Sequence, residues 1–124
     1  MQRLYFLILL ICLTVSSQEK NLAQKLGFEA NSKLLIIHAD DIGVARSVNK
    51  ASFDGFSLGV ITSGSVMVPC PWFLEAAEYA KSNPNHDLGL HLTITSEWKN
   101  YKWSGISSSN EIKSLINEQG HFYS

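Results

Sequence analysis

The strongest apolar signal past the N-terminal region is Leu34-Leu35-Ile36-Ile37, which runs through His38 and Ala39 into two adjacent carboxylates, Asp40 and Asp41. A run this apolar predicts a strand over Lys33–Ile37, buried on both faces as in a parallel sheet covered by helices. Charge is costly inside such a sheet, so the acidic pair belongs at its rim. Ahead of it, Asn21–Phe28 predicts a short helix, with Leu22 and Leu26 four apart and Gly27 as its stop. Beyond a turn at Gly43-Val44, Ser47 is placed to cap a helix reaching about Ser57, with Val48, Ala51 and then Phe56 or Leu58 on its apolar side. Gly59 ends it. Val60–Val68 predicts a second strand, in which Ser63, Gly64 and Ser65 let neighbouring groups approach closely. Pro71 suits the first turn of the next helix, and the spacing of Phe73, Ala76, Ala77 and Ala80 carries it to Pro84. Asp87–Thr95 predicts a third strand, Glu111–Asn117 a short helix and Gly120 a turn.

The order is βα, βα, β, with crossovers long enough for parallel pairing. This predicts an α/β fold, the N-terminal part of a TIM-like (β/α) barrel. A full barrel takes about 250 residues, and the chain has 124. The expectation is therefore a truncated barrel, or a sheet completed by something else.

The first residues change what counts as the fold. Arg3 precedes a nearly unbroken apolar run from Leu4 to Val15, followed by Ser16, Ser17 and Gln18. That is the pattern of a secretory signal peptide, and the run is too short for the roughly 20 residues of a membrane-spanning helix. Residues 1–17 are expected to be removed and 18–124 to form the domain. The product is then exported, to the periplasm or the extracellular space, with no stable membrane anchor. Loss of Arg3 moves the formal charge from −1 to −2. With no basic stripe or polybasic run, nucleic acid is not an expected partner. Cys12 leaves with the leader, so Cys70 has no partner for an internal disulfide and reads as a small half-buried residue. A homodimer stays open.

The chemistry sits at strand ends. The third segment, Asp87-Leu88-Gly89-Leu90-His91-Leu92-Thr93, brings His91 to the same rim as Asp40 and Asp41. The carboxyl ends of strands are where α/β folds place their sites. A divalent metal held by a carboxylate and an imidazole lowers the pKa of a bound water to about 7, and a neighbouring acid can take its proton. Taken singly, Asp40-Asp41-Ile42-Gly43 is equally a turn with helix-start charge, and His91 alone is better read as a hydrogen-bonded core histidine. Together they favour a hydrolytic site. His38 alternates with Asp40 and reads as a supporting residue, whereas His86 and His121 read as solvated. Trp98, Tyr101 and Trp103 are spaced irregularly, and can either stack on sugar rings or pack against the rest of the domain.

The ordered set His38-Ala39-Asp40-Asp41-Ile42-Gly43, Ser47-Val48-Asn49, Gly59-Val60-Ile61-Thr62-Ser63, Val66-Met67-Val68-Pro69 and Gly89-Leu90-His91-Leu92-Thr93 resembles the YdjC-like (ChbG/HpnK) carbohydrate deacetylases. The resemblance covers about Lys33 to Thr95 and continues in style to Phe122. Members more often carry Asn where this chain has His38. The resemblance implies an incomplete TIM-like barrel and metal-dependent removal of acetyl from an N-acetylated amino sugar or oligosaccharide. It implies Asp41 and His91 as ligands of a divalent ion (Mg or Zn) and Asp40 as general base, the division between the two acids being open to reversal. A further ligand His is implied downstream of this segment. Two other functions remain: a non-catalytic carbohydrate-binding remnant using the Trp98–Trp103 loop, and a metal-dependent phosphoesterase. The latter needs basic residues, and of Lys33, Arg46, Lys50 and Lys81 only Arg46 lies near the acidic pair in sequence.

Overall fold

The computed structural model describes residues 19–124. The expected signal peptide lies outside them. The chain divides after Leu35 into two units. In the first, α1 (Leu22–Lys25) is a single turn closed by a capping box: the Asn21 side chain accepts from the Gln24 N–H, and Gln24 reaches back to the Asn21 N–H. The expected helix to Phe28 is thus shorter, and Leu22 and Leu26 are exposed. No helix of the described residues is long and apolar enough to cross a membrane.

The second unit carries three strands, β1 (His38–Ile42), β2 (Ser63–Val66) and β3 (Leu88–Leu90), all parallel and adjacent in chain order. Two helices connect them, α2 (Arg46–Ser57) and α3 (Phe73–Ser82). The α/β expectation holds. Parallel strands that add in sequence order fit the opening of a (β/α) barrel.

The first strand begins later than expected. Leu34–Ile37 precedes β1 and is 44–78 % exposed, because the ladder with β2 starts only at Ile37, whose carbonyl accepts from the Thr62 and Ser63 N–H groups. The strand is instead the His-Ala-Asp-Asp-Ile segment, so the two acids lie inside it. Nor is the sheet apolar on both faces. Ala39, Ile42, Val66 and Leu88 pack with Phe56, Phe73 and Ala76 beneath the helices. The opposite face carries His38, Ser63 and Ser65, whose side chains touch one another. Gly64 sits on the covered face, where a Cβ would lie 2.9 Å from Ile42 Cδ1 and 3.1 Å from the Ala39 carbonyl. Its smallness lets β1 and β3 close on β2, as the sequence implied.

A second core holds the C-terminal segment. Trp103, Ile116 and Phe122 are buried against Val44, Ala45, Met67 and Cys70, with Trp98 and Ile112 alongside. Fully buried Ser96 fixes this segment: its N–H donates to the Tyr123 carbonyl, and its hydroxyl accepts from the Trp103 N–H. The expected helix over Glu111–Asn117 is absent; turns lead into a bridge between Ile116 and Phe122, and the expected turn at Gly120 lies inside it. Two histidines also differ from expectation. His86 is half-buried, stacked on Phe56 and bonded to the Tyr79 hydroxyl at 3.0 Å. His121 is half-buried and donates its N–H to Asn117.

Burial pushes the Cys70 thiol up to about 11, helped by the Asp41 and Glu97 charges. A thiol that stays protonated is a poor nucleophile. Iodoacetamide at pH 8 should therefore leave Cys70 unmodified in the folded protein and label it once unfolded, as read by peptide mass mapping. The folded state holds this proton more tightly than the unfolded one, so stability falls as pH rises from about 9 to 11. Rapid labelling without unfolding would show that the thiol is not sealed.

Candidate metal-binding active site

The geometry begins with one extra residue. Ala39 pairs with Gly64 and Ile42 with Val66, so three steps along β1 face two along β2. That is a β-bulge, and it resets the alternation of side chains. Without it, Asp41 would point to the helix side with Ala39. With it, Ala39 and Ile42 share the covered face, and Asp40 and Asp41 both belong to the polar side and its rim. The bulge is strained: Asp41 has φ 54°, and among the described residues it is the one non-glycine with positive φ. Asp tolerates this region better than most residues, yet such conformations cost about 1–3 kcal/mol and gather at functional sites.

Asp41 and His91, fifty residues apart, meet there. The Asp41 N–H donates to His91 Nδ1 at 3.2 Å, and Asp41 Oδ1 lies 3.3 Å from the same nitrogen. A carboxylate oxygen and an imidazole nitrogen thus face each other at two strand ends. Their separation fits neighbouring ligands on an ion held at about 2.0–2.2 Å. Burial raises the Asp41 carboxyl above its ordinary range, Asp40 raises it further, His91 partly offsets this, and Glu97 adds to the rise. Asp40 is exposed beside them. Among the described residues no group of three His, Cys, Asp or Glu side chains gathers to hold a metal.

The turn after the bulge is held by a residue whose role the sequence did not disclose. Asn49, fully buried on α2, accepts from the Gly43 N–H at 2.7 Å and donates to the Trp72 carbonyl at 3.0 Å and to Glu75 Oε2 at 2.8 Å. Ser47, expected as the cap of α2, is not: the cap position is Ala45, without a side-chain bond. Gly43 has φ 104°, and a Cβ there would lie 3.1 Å from the Met67 carbonyl. Arg46 turns away from the acids, 3.8 Å from Glu75 and over the Trp72 ring. Of the loop aromatics, Trp103 is buried, Trp98 half-buried and Tyr101 exposed, so packing claims most of what a sugar platform would need.

The sequence model of YdjC-like proteins matches residues 34–124. The chain belongs to the YdjC-like family. Within it, the chain is 35 % identical to a carbohydrate deacetylase of Enterococcus faecalis, over 75 % of this chain and 34 % of that protein. It is 44 % identical to carbohydrate deacetylase 2 of Listeria innocua, over 49 % and 25 %. It is 36 % identical to a chitooligosaccharide deacetylase of Yersinia enterocolitica, over 51 % and 25 %. A crystal structure described as a cellobiose-phosphate cleavage protein of Enterococcus faecalis superposes with a TM-score of 0.61 at 35 % identity, covering 71 % of this YdjC-like chain and 33 % of the other. The chain thus spans a quarter to a third of the length of these relatives. Its relatives' names support a deacetylase function at the level of the family.

Proposed function

We propose that this chain is the N-terminal part of a metal-dependent carbohydrate N-deacetylase, exported after loss of residues 1–17. The observation that carries the reading is the bulge in β1, which sets Asp40 and Asp41 on one side of the sheet with His91 beside them. In this reading the Asp41 carboxylate and the His91 imidazole would hold a divalent ion, together with a ligand from a later part of the protein, the ring nitrogen exchanging the Asp41 N–H for the ion. The ion supplies Lewis-acid polarisation of the acetamide and an acidified water. The Asp40 carboxylate takes the proton from the attacking oxygen and returns it to the sugar nitrogen as acetate departs. Later strands would cover Ile36 and Ile37 ahead of β1 and Leu92 and Ile94 beyond β3, all exposed here.

The phosphoesterase alternative draws on the cellobiose-phosphate wording attached to the similar structure. It needs a cation placed to meet phosphate at the acidic pair, and Arg46 instead lies beside Glu75 and over the Trp72 ring. The deciding experiment incubates the complete gene product with an N-acetylated chito-oligosaccharide and with a phosphorylated disaccharide. Acetate release that chelator stops and added Zn or Mg restores is expected. Acetate release indifferent to chelator would remove the metal from the mechanism. Phosphate release without acetate would replace the reading altogether.

A further inference from the structure

We propose that Glu97 is a specificity residue of the candidate site, favouring amino sugars that carry a free ammonium and disfavouring acidic ones, an inference that rests on the deacetylase reading. Residues 96–103 form a loop closed at its neck. Fully buried Ser96 makes the closure: its hydroxyl accepts from the Trp103 N–H at 3.2 Å, and its carbonyl accepts from Lys102 Nζ. Its N–H donates to the Tyr123 carbonyl at 2.8 Å, which ties the neck to the C-terminal segment. Within the loop, Trp98 and Tyr101 meet edge to face with ring centroids 5.8 Å apart. Trp103 packs in one core with Val44, Ala45 and Cys70, and the Val44 N–H donates to the Asp41 carbonyl at 3.2 Å. The neck therefore rests on the turn that leaves the acidic pair.

Glu97 is the first residue out of that neck, so its backbone is set by the buried serine before it. The Thr95 hydroxyl donates to Glu97 Oε2 at 3.3 Å. Beyond the effect of burial, the Glu97 charge helps to raise both the Asp41 carboxyl and the Cys70 thiol. Asp41 lies near the end of β1 and Cys70 beyond the end of β2, which puts this carboxylate on the same rim as the acidic pair. The charges felt at Asp41 are those of Asp40, His91 and Glu97, not that of Lys99 in the same loop. Lys102 is turned to Ser96 and Ser124. With Asp41 assigned to the ion and Asp40 to the proton, Glu97 has no task in the chemical step and acts on a bound sugar through its charge. An ammonium beside the acetamide is attracted and a phosphate is repelled. Each unit of ligand charge changes affinity about two- to threefold at roughly 8 Å in water-like surroundings. A chain already partly deacetylated thus suits this site better than a phosphorylated one.

The test uses the metal-loaded complete gene product and three chito-disaccharides: one fully acetylated, one with a single acetamide and a free amine, and one fully acetylated and phosphorylated. Acetate release is measured at a pH where the amine is protonated, and kcat/KM for each charged sugar is divided by that for the neutral one. The ratio cancels any change in the chemistry common to all three. Glu97→Gln is expected to lower the ammonium ratio about two- to threefold and to raise the phosphate ratio at least as much. Glu97→Asp, which keeps the charge, should retain the wild-type ratios. In about 1 M salt, where screening acts within roughly 3 Å, wild type and Glu97→Gln should converge. Ratios unmoved in Glu97→Gln, or moved in the same direction for both charged sugars, would overturn the assignment. If no acetate is released, the deacetylase reading falls, and calorimetric Kd values for the same sugars decide the charge selection separately. Opposite shifts of the two charged sugars in Glu97→Gln would sustain it, equal shifts would overturn it, and a wild type that binds none of the three would overturn both.

Discussion

Replacing His91 by Ala in the complete gene product should lower metal-dependent acetate release at least a thousandfold while leaving the melting temperature within a few degrees of wild type. The asymmetry follows from where the ring sits. It is partly exposed at a strand end and accepts one long hydrogen bond from the Asp41 N–H. Its loss therefore removes little packing and exposes that N–H to water, whereas a metal deprived of one protein ligand is bound weakly or in the wrong geometry. The two acids can be told apart by the same logic. Asp41→Asn keeps the shape and remains tolerant of the left-handed backbone, but exchanges a charged ligand for a neutral one. Metal affinity should fall, and rate with it. Asp40→Asn should leave metal affinity nearly intact and still lower kcat by about 10²–10⁴, the usual contribution of a general base. The opposite pattern, with metal lost in Asp40→Asn and retained in Asp41→Asn, would exchange the two roles. Full activity in His91→Ala would end the assignment of the site.

The acidic pair and His91 were legible because charge at the end of an apolar segment is costly to bury and belongs at a rim, where a site can use it. The strand itself was misplaced for a related reason. Leu34–Ile37 carries the strongest hydrophobic signal, but a strand needs a neighbour, and the β2 ladder reaches back only to Ile37. The bulge left a trace that could have been read. Apolar Ala39 and Ile42 stand three apart, where an unbroken strand would place its covered residues two or four apart. The expectation of a sheet apolar on both faces failed on Ser63 and Ser65, which the sequence marked as small without disclosing that their hydroxyls meet His38. Trp103 is the reverse case: an aromatic whose irregular spacing left it open to a binding role, and which the fold consumed as core.

Asn49 entered the sequence reading only within the Ser47-Val48-Asn49 motif, with no role of its own, and its replacement should have the largest effect on stability of any single change outside the cores. On α2 it reads as one polar residue among others, and only the return of two loops to the same point makes it central. It is fully buried and satisfies the Gly43 N–H, the Trp72 carbonyl and a Glu75 carboxylate oxygen. Asn49→Ala leaves the Gly43 N–H unpaired where water reaches poorly, at about 1–3 kcal/mol, and takes from the Trp72 carbonyl one of its two donors, the Ala76 N–H remaining. Glu75 is partly exposed and recovers much of its share from solvent, so a loss of about 3 kcal/mol is expected in denaturant unfolding of the complete gene product. Asn49→Asp separates the contributions. It still accepts from Gly43, but it sets a carboxylate against Glu75 and turns no donor toward Trp72. It should be destabilised at neutral pH and regain part of the loss near pH 4, where a proton shared between the two acids restores a donor. Because the Gly43 turn follows the bulge directly, loosening it should also reduce acetate release in molecules that remain folded. Asn49→Ala within about 1 kcal/mol of wild type would show that the turn is held by Gly43 and the Trp72 N–H alone, and that the bulge needs no support from α2.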